Sequence, residues 1–195
     1  YGTPPAGNAN FAWLQHMIKS MDSKNGRCAV VLPQGVLFHS GKEGEIREQL
    51  VRSDKLEAVI TLASGVFYST GVSACILFLN NKKEHKHKGR ICLIDGTEIY
   101  IPQRAQNIIS PDNVKTLYKR YTDYVDVIEK CKIVTIDDVE KGGFELSVKK
   151  YIEQKAKEAI PHEKVLLAYY EALTKVHKSE EKMRKLLIEG GYVNE

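Results

Sequence analysis

No stretch of this 195-residue sequence approaches the roughly 18 consecutive apolar residues of a membrane-spanning helix, and no basic segment leads into an apolar run as an export signal would. A cytoplasmic protein without a membrane partner is the expectation. Cysteine is sparse: Cys28, Cys75, Cys92 and Cys131 form no C-x-x-C pair and no metal-ligand spacing, so they read as small buried hydrophobes in a reducing compartment, and no metal is expected. Internal repeats and low-complexity tracts are missing too. There is no G-x-G-x-x-G fingerprint, no G-x-S-x-G elbow and no pair of carboxylates placed for acid–base work. Gly35 to Gly41-Lys42 sits where a phosphate-binding loop would, but the spacing is one residue too long and Glu43 replaces the magnesium-binding Ser or Thr. An excess of one charge is also absent: the net charge of +4 admits a polyanionic partner without demanding one.

What is present suits a globular protein, with 43% hydrophobic and 28% charged residues, enough for one core and an appendage. Cys28 to Phe38, Gly41 to Leu50 and Glu57 to Leu62 read as strand, helix, strand. Apolar runs without alternation suit strands buried on both faces, and a helical crossover implies parallel strands of an α/β sheet. Ligands of such sheets lie beyond the carboxyl ends of the strands, which directs attention to Pro33–Gly41 and Ala63–Val72.

Phe11, Leu14, Ile18 and Met21 fall at helical spacing behind Asn8 or Asn10 as a cap, and Asn25-Gly26 turns the chain by a positive φ at glycine. Further strands are expected at Ala74–Leu79, Arg90–Asp95 and Lys132–Ile136, and a helix from Ser110 to about Tyr121, with serine as cap and proline at its first position. Asp137-Asp138 opens another helix, which Gly142-Gly143 ends. From His162 to Glu189, Leu166, Tyr169, Leu173, Val176, Met183 and Leu187 line one face of a long helix, interrupted at Glu180. That face either folds back on its own domain or docks a partner's helix. Pro161 separates it from Tyr151–Ile160 and sets a domain boundary near residue 155.

Two clusters carry candidate chemistry. Lys82, Lys83, Lys86, Lys88 and Arg90 crowd one connection with a single acid, Glu84, either as contacts to nucleic-acid phosphates or as a solvated tip between two antiparallel strands. His85 and His87 lack a carboxylate or cysteine that would complete a metal site. Phe67 and Tyr68 lie in a connection long enough to be functional; they either close the core or offer a flat face to a base taken out of its duplex.

The ordered blocks Tyr1–His16, Val31-Leu-Pro-Gln-Gly-Val-Leu37, Gly44–Leu50 and Val66–Leu79, and more loosely Phe144–Tyr151, resemble the modification subunit of type I restriction-modification systems, a family of adenine-N6 DNA methyltransferases. The resemblance implies the C-terminal part of a Rossmann-like methyltransferase sheet followed by a long C-terminal helix. It implies residues 1–155 as the latter half of the catalytic domain and 156–195 as a subunit-docking helix. The first ten residues read as a loop from inside a longer chain, so a fragment is expected.

In the family, S-adenosylmethionine is held by a glycine-rich loop and an acidic strand end, and an Asn-Pro-Pro-Phe motif grips the adenine amino group as it attacks the cofactor's methyl. Thr3-Pro4-Pro5-Ala6 only mimics that motif, since Thr3 has no side-chain carbonyl and Ala6 no ring. No catalytic residue and no bound cofactor are therefore expected in these residues, and the isolated fragment is expected to be inactive. Phe67 matches the aromatic that stacks on the flipped adenine, with Tyr68 beside it. Pro33, Gln34 and Gly35 would line the cleft, and Asn8 and Asn10 would order its entry. The implied partners are DNA, the specificity subunit and the restriction subunit. A non-catalytic scaffold of a nucleic-acid complex is the rival reading.

Overall fold

The computed structural model describes residues 1–152 and 162–192, so the boundary expected near residue 155 lies outside the described residues. The chain divides into two compact units, Tyr1–Lys155 and Ala156–Glu195.

The first unit is built on a five-stranded sheet of order β1-β3-β2-β4-β5. The strands are β1 (Arg27–Pro33), β2 (Leu56–Leu62), β3 (Ala74–Asn80), β4 (Arg90–Gly96) and β5 (Cys131–Thr135). The helices are α1 (Asn10–Ser20), α2 (Lys42–Arg52), α3 (Pro111–Asp123), α4 (Ile136–Lys141) and α5 (Val148–Tyr151). This is the α/β class read from the sequence, and the pairing corrects one detail of that reading. β1 and β2 run in the same direction but are not neighbours, because β3 lies between them, antiparallel to both. A helical crossover fixes the direction of the second strand without fixing whether a gap is left, and the later apolar run Ala74–Asn80 fills that gap. The parallel neighbours are β2 and β4, and β5 closes the far edge antiparallel to β4.

β2 is buried along its whole length, as its unbroken apolar run requires. β1 is not buried on both faces: it ends the sheet, its burial alternates, and Val31 is 50% exposed. Nor does it extend to Phe38, since a 3₁₀ turn over Gln34–Leu37 follows Pro33. Successive side chains point to opposite faces, so Val59, Leu77, Leu79 and Leu93 meet Phe11, Leu14, Ile46 and Leu50 of α1 and α2 on one side. Ala58, Ile60, Cys92 and Ile94 meet Leu117 of α3 on the other.

The local signals mostly act as read. Ser110 caps α3 by accepting from the Asn113 N–H at 3.2 Å, with Pro111 in the first turn. At α1 the cap position is Ala9, and Asn8 Oδ1 accepts from the Asn10 N–H at 3.0 Å, so Asn10 is the first helical residue rather than the cap. Gly26 does not have a positive φ. Glycine is needed there for space: a Cβ would come within 2.5 Å of the Asp22 carbonyl oxygen.

In the second unit α6 (His162–Glu189) is one continuous helix with no buried residue. Among the described residues, no helix is long and apolar enough to cross a membrane.

Candidate functional site

The carboxyl end of β1 and the connection between β2 and β3 meet around an apolar cavity of about 340 Å³. Val31, Leu32 and Pro33 form one wall, Phe67, Thr70 and Val72 the other, and Ala74 opens β3 at its base. The Gln34 N–H donates to the Ser73 carbonyl at 2.9 Å and ties the two segments together. Phe67 is 41% exposed, so its ring is a wall of the cavity rather than a sealed piece of core. No ionisable side chain lines the space. A neutral planar ring suits it better than a charged ligand, because an unpaired charge would lose its hydration there.

Of the residues expected at this site, the structure brings Phe67 and Pro33 together. Tyr68 is 85% exposed and lies outside the lining. Gln34 and Gly35 continue into the 3₁₀ turn, and Asn8 and Asn10 stand at the start of α1, all of them outside the cavity wall.

The basic connection lies at the other end of the sheet. It leaves the end of β3 and enters the start of β4, where Asn80 pairs with Arg27 at the amino end of β1. Seven-residue strands rising about 3.3 Å per residue put roughly 20 Å between the two ends. It is not a hairpin tip, because β2 separates β3 from β4. Lys82, Lys86, Lys88 and Arg90 are exposed. Lys83 is not available to a phosphate: its side chain is 2% exposed, and its ammonium donates to Asp54 at 2.6 Å and to the Arg90 carbonyl at 2.8 Å. His87 is also buried, stacked on Tyr124 with ring centroids 3.6 Å apart. Among the described residues, no group of three or more His, Cys, Asp or Glu side chains is placed to hold a metal ion.

Residues 1–159 match the family model described as N-6 DNA Methylase. The chain belongs to the N-6 DNA methylase family. It is 38% identical to the type I restriction enzyme HindI methylase subunit of Haemophilus influenzae over 78% of this chain and 35% of that protein. It is 33% identical to the MjaVIII methylase subunit of Methanocaldococcus jannaschii over 100% of this chain and 33% of that one. The crystal structure of a type I restriction-modification methyltransferase subunit from Streptococcus thermophilus superposes with a TM-score of 0.72 at 25% identity, covering 77% of this chain and 31% of that one. The Rossmann-like methyltransferase fold is thereby shown, and the chain spans about one third of the length of the relatives it matches.

In this N-6 DNA methylase chain, polar groups that the sequence reading passed over hold both ends of the sheet in shape. Next to the cavity wall, the His39 ring lies over Gly35, where a Cβ would come within 2.6 Å of it, and His39 Nδ1 is 2.8 Å from Glu43 Oε2. The buried Arg47 guanidinium donates to the carbonyls of Val36, His39 and Phe144, joining the 3₁₀ turn to the segment before α5. Gln106 donates to the Val66 carbonyl and Asn107 to that of Ser64, which anchors the first half of the Phe67 loop.

At the opposite end, Glu57 accepts from the Tyr121 hydroxyl at 2.7 Å and from Asn80 Nδ2, with His87 Nδ1 3.3 Å away. Burial alone would raise its pKa, but the hydrogen bonds of Tyr121, Asn80 and His87 and the charge of Arg27 outweigh it, and the net shift is downward. A periodicity search could not have found these groups, since polar residues inside a fold obey no apolar pattern.

Proposed function

We propose that this chain forms part of a DNA methyltransferase that modifies adenine N6 with S-adenosylmethionine, as the modification subunit of a type I restriction-modification system. Its own contribution is one wall of the pocket that receives a flipped adenine. The observation that carries this reading is the exposed Phe67 ring set against Pro33 in an uncharged cavity at the carboxyl end of the sheet. Stacking there is worth about 1–3 kcal/mol. Tyr68, exposed beside Phe67, caps the base from the solvent side, while Gln34, Gly35, Asn8 and Asn10 shape the surroundings.

S-adenosylmethionine itself does not fit this cavity. Its carboxylate, ammonium and ribose hydroxyls call for charged and hydrogen-bonding side chains, and the lining offers only the Thr70 hydroxyl as a polar side chain. No methyl-transfer step is therefore assigned to the residues of this cavity.

The family relatives are methylase subunits of type I restriction enzymes, and on this reading the exposed apolar stripe of α6 docks the specificity subunit, with the restriction subunit completing the complex. Lys82, Lys86, Lys88 and Arg90 contact DNA phosphates remote from the extruded base. A purely scaffolding role is the second reading, favoured by α6, whose Leu167, Tyr169 and Met183 are all exposed.

Phe67→Ala in the full-length subunit separates the two. The catalytic reading expects kcat/KM for DNA to fall about 5- to 150-fold, the equivalent of the stacking energy, with S-adenosylmethionine affinity unchanged. Unaltered methylation kinetics would remove the pocket assignment and leave the scaffold.

A further inference from the structure

Two of the four cysteines meet inside the first unit. Cys92 of β4 and Cys131, the first residue of β5, lie on one face of the sheet in the apolar cluster of Ala58, Ile60, Ile94 and Leu117, and their Sγ atoms are 3.3 Å apart. Both are free thiols. Cys92 pairs with Ile133 and Cys131 with Ile94, so the two sulfurs face each other along a diagonal of the antiparallel ladder. They stand about 1.3 Å short of bonding distance. β5 can supply that movement, because it is an edge strand whose strand neighbour is β4, and Cys131 stands at its very end.

The two sulfurs are not equivalent. Cys131 also lines a cavity of about 90 Å³ with Asp126, Val127, Ile128 and Lys132, whereas Cys92 is fully enclosed. A water molecule takes up about 30 Å³, so a molecule of two oxygen atoms fits this space and reaches one sulfur of the pair. The hydrogen bond from the Cys92 thiol favours a thiolate at Cys131, and the Arg120 charge helps; together they outweigh burial and Asp126, and the Cys131 pKa lies below its ordinary value. The same contact and burial push the Cys92 thiol up. The thiolate is the reactive form of cysteine, so geometry and ionisation select the same sulfur, Cys131, to react first. Burial alone acts on Cys28 and Cys75 and raises both, the second to about 12.

We propose that Cys92 and Cys131 form a peroxide-reactive dithiol that closes reversibly to a disulfide, with Cys131 as the attacking sulfur and Cys92 as the resolving one. The Cys131 thiolate attacks one oxygen of hydrogen peroxide; the S–O bond forms as the O–O bond breaks, and the departing hydroxide takes up the proton that Cys131 released. Cys131 is then a sulfenic acid. The Cys92 sulfur attacks it, the S–S bond forms as the S–O bond breaks, and the second hydroxide leaves with the Cys92 proton as water. Two thiols and one peroxide become one disulfide and two waters, the thiols losing two electrons and the peroxide gaining them. A small-molecule dithiol reverses the reaction by exchange. The closed bond fixes the start of β5 to β4 and encloses the chain that carries α3, whose Leu117 packs in the same apolar cluster. Neither cysteine lines the Phe67 cavity, so the dithiol does not rest on the base-pocket reading.

The test treats the folded full-length subunit with hydrogen peroxide, blocks the remaining thiols with N-ethylmaleimide in denaturant, and reads tryptic peptides by mass spectrometry. Cleavage after Arg90, Arg104, Lys130 and Lys132 places the two cysteines in peptides 91–104 and 131–132. The expected product is these two peptides joined, two hydrogens lighter than their sum and separated again by dithiothreitol. Cys92→Ala is expected to stop the reaction at the sulfenic acid of Cys131, captured by dimedone, and Cys131→Ala to leave Cys92 as a thiol. The unsubstituted subunit carries the decision whether or not these variants fold. Met183, 60% exposed, gauges the dose, since methionine is oxidised to its sulfoxide by the same reagent. Recovery of Cys92 and Cys131 as blocked thiols once Met183 is oxidised overturns the proposal, as does a disulfide from either of them to Cys28 or Cys75. Phe67→Ala is expected to leave the yield of the joined peptides unchanged, so failure at the base pocket and failure at the dithiol give different results.

Discussion

At the scale of single residues, chemically equivalent side chains have been put to opposite uses. Lys82 and Lys83 are adjacent, yet the first is exposed and the second lies on Asp54 with its side chain 2% exposed. Nothing in their types separates them; the path of the connection does. Glu57 shows the same dependence on surroundings, because it is held charged inside the protein by Tyr121, Asn80 and His87. Its folded pKa lies below the ordinary value of 4.5, so its stabilising contribution is complete above that value and is lost as the pH falls through it to the lowered one. Glu57→Gln is therefore expected to flatten the acid limb of stability, read as urea midpoints between about pH 6 and pH 3. A variant with the same acid limb as the parent protein would show that the network does not hold the charge. At the alkaline end, burial and the Glu57 contact push the Tyr121 hydroxyl up to about 12, and its stabilising effect is lost as the pH rises past 10.

Elements were the most legible level, and for identifiable reasons. α3 begins where serine precedes proline, and the capping box is closed by the Ser110 N–H donating to Asn113 Oδ1 at 2.9 Å. Ser110→Ala is expected to cost about 1 kcal/mol, within the usual range for a lost cap, and the denaturation midpoint measures it. Thr135 and Asp138 form the same box at α4, a cap not read from the sequence because the strand before it runs straight into the helix. The end of β1 was misread because Pro33-Gln-Gly-Val-Leu-Phe38 is as apolar as a strand; its 3₁₀ turn is set by contacts from elsewhere, including the Arg47 bonds to the Val36 and His39 carbonyls.

For the whole molecule, one prediction concerns α6, which has no buried residue, and another concerns the cofactor. A chain ending at residue 155 is expected to keep the thermal midpoint of the longer one within about 2 °C, since a large loss of core contacts is needed to move it further. Calorimetry detects a larger drop if α6 supports the core. Titration of the 195-residue chain with S-adenosylmethionine is expected to give no specific heat, and a micromolar site would place cofactor binding within these residues. The base cavity and the basic connection lie at opposite ends of one sheet, so the two candidate contacts to DNA are independent in position. Substitutions at one are expected to add to those at the other.

The sequence by itself determined which segments become helices and strands, where several of them are capped, and, through the ordered blocks around Val31-Leu-Pro-Gln-Gly-Val-Leu37 and Val66–Leu79, the family. These properties are written in neighbouring residues, as apolar period, cap and turn chemistry. Only the tertiary structure decided that β3 enters between β1 and β2, that Phe67 meets Pro33 across a cavity while Tyr68 faces solvent, and that Lys83 turns inward. Each of these joins residues distant in the chain, and strand order and side-chain burial follow from how the whole sheet packs, which no local pattern encodes.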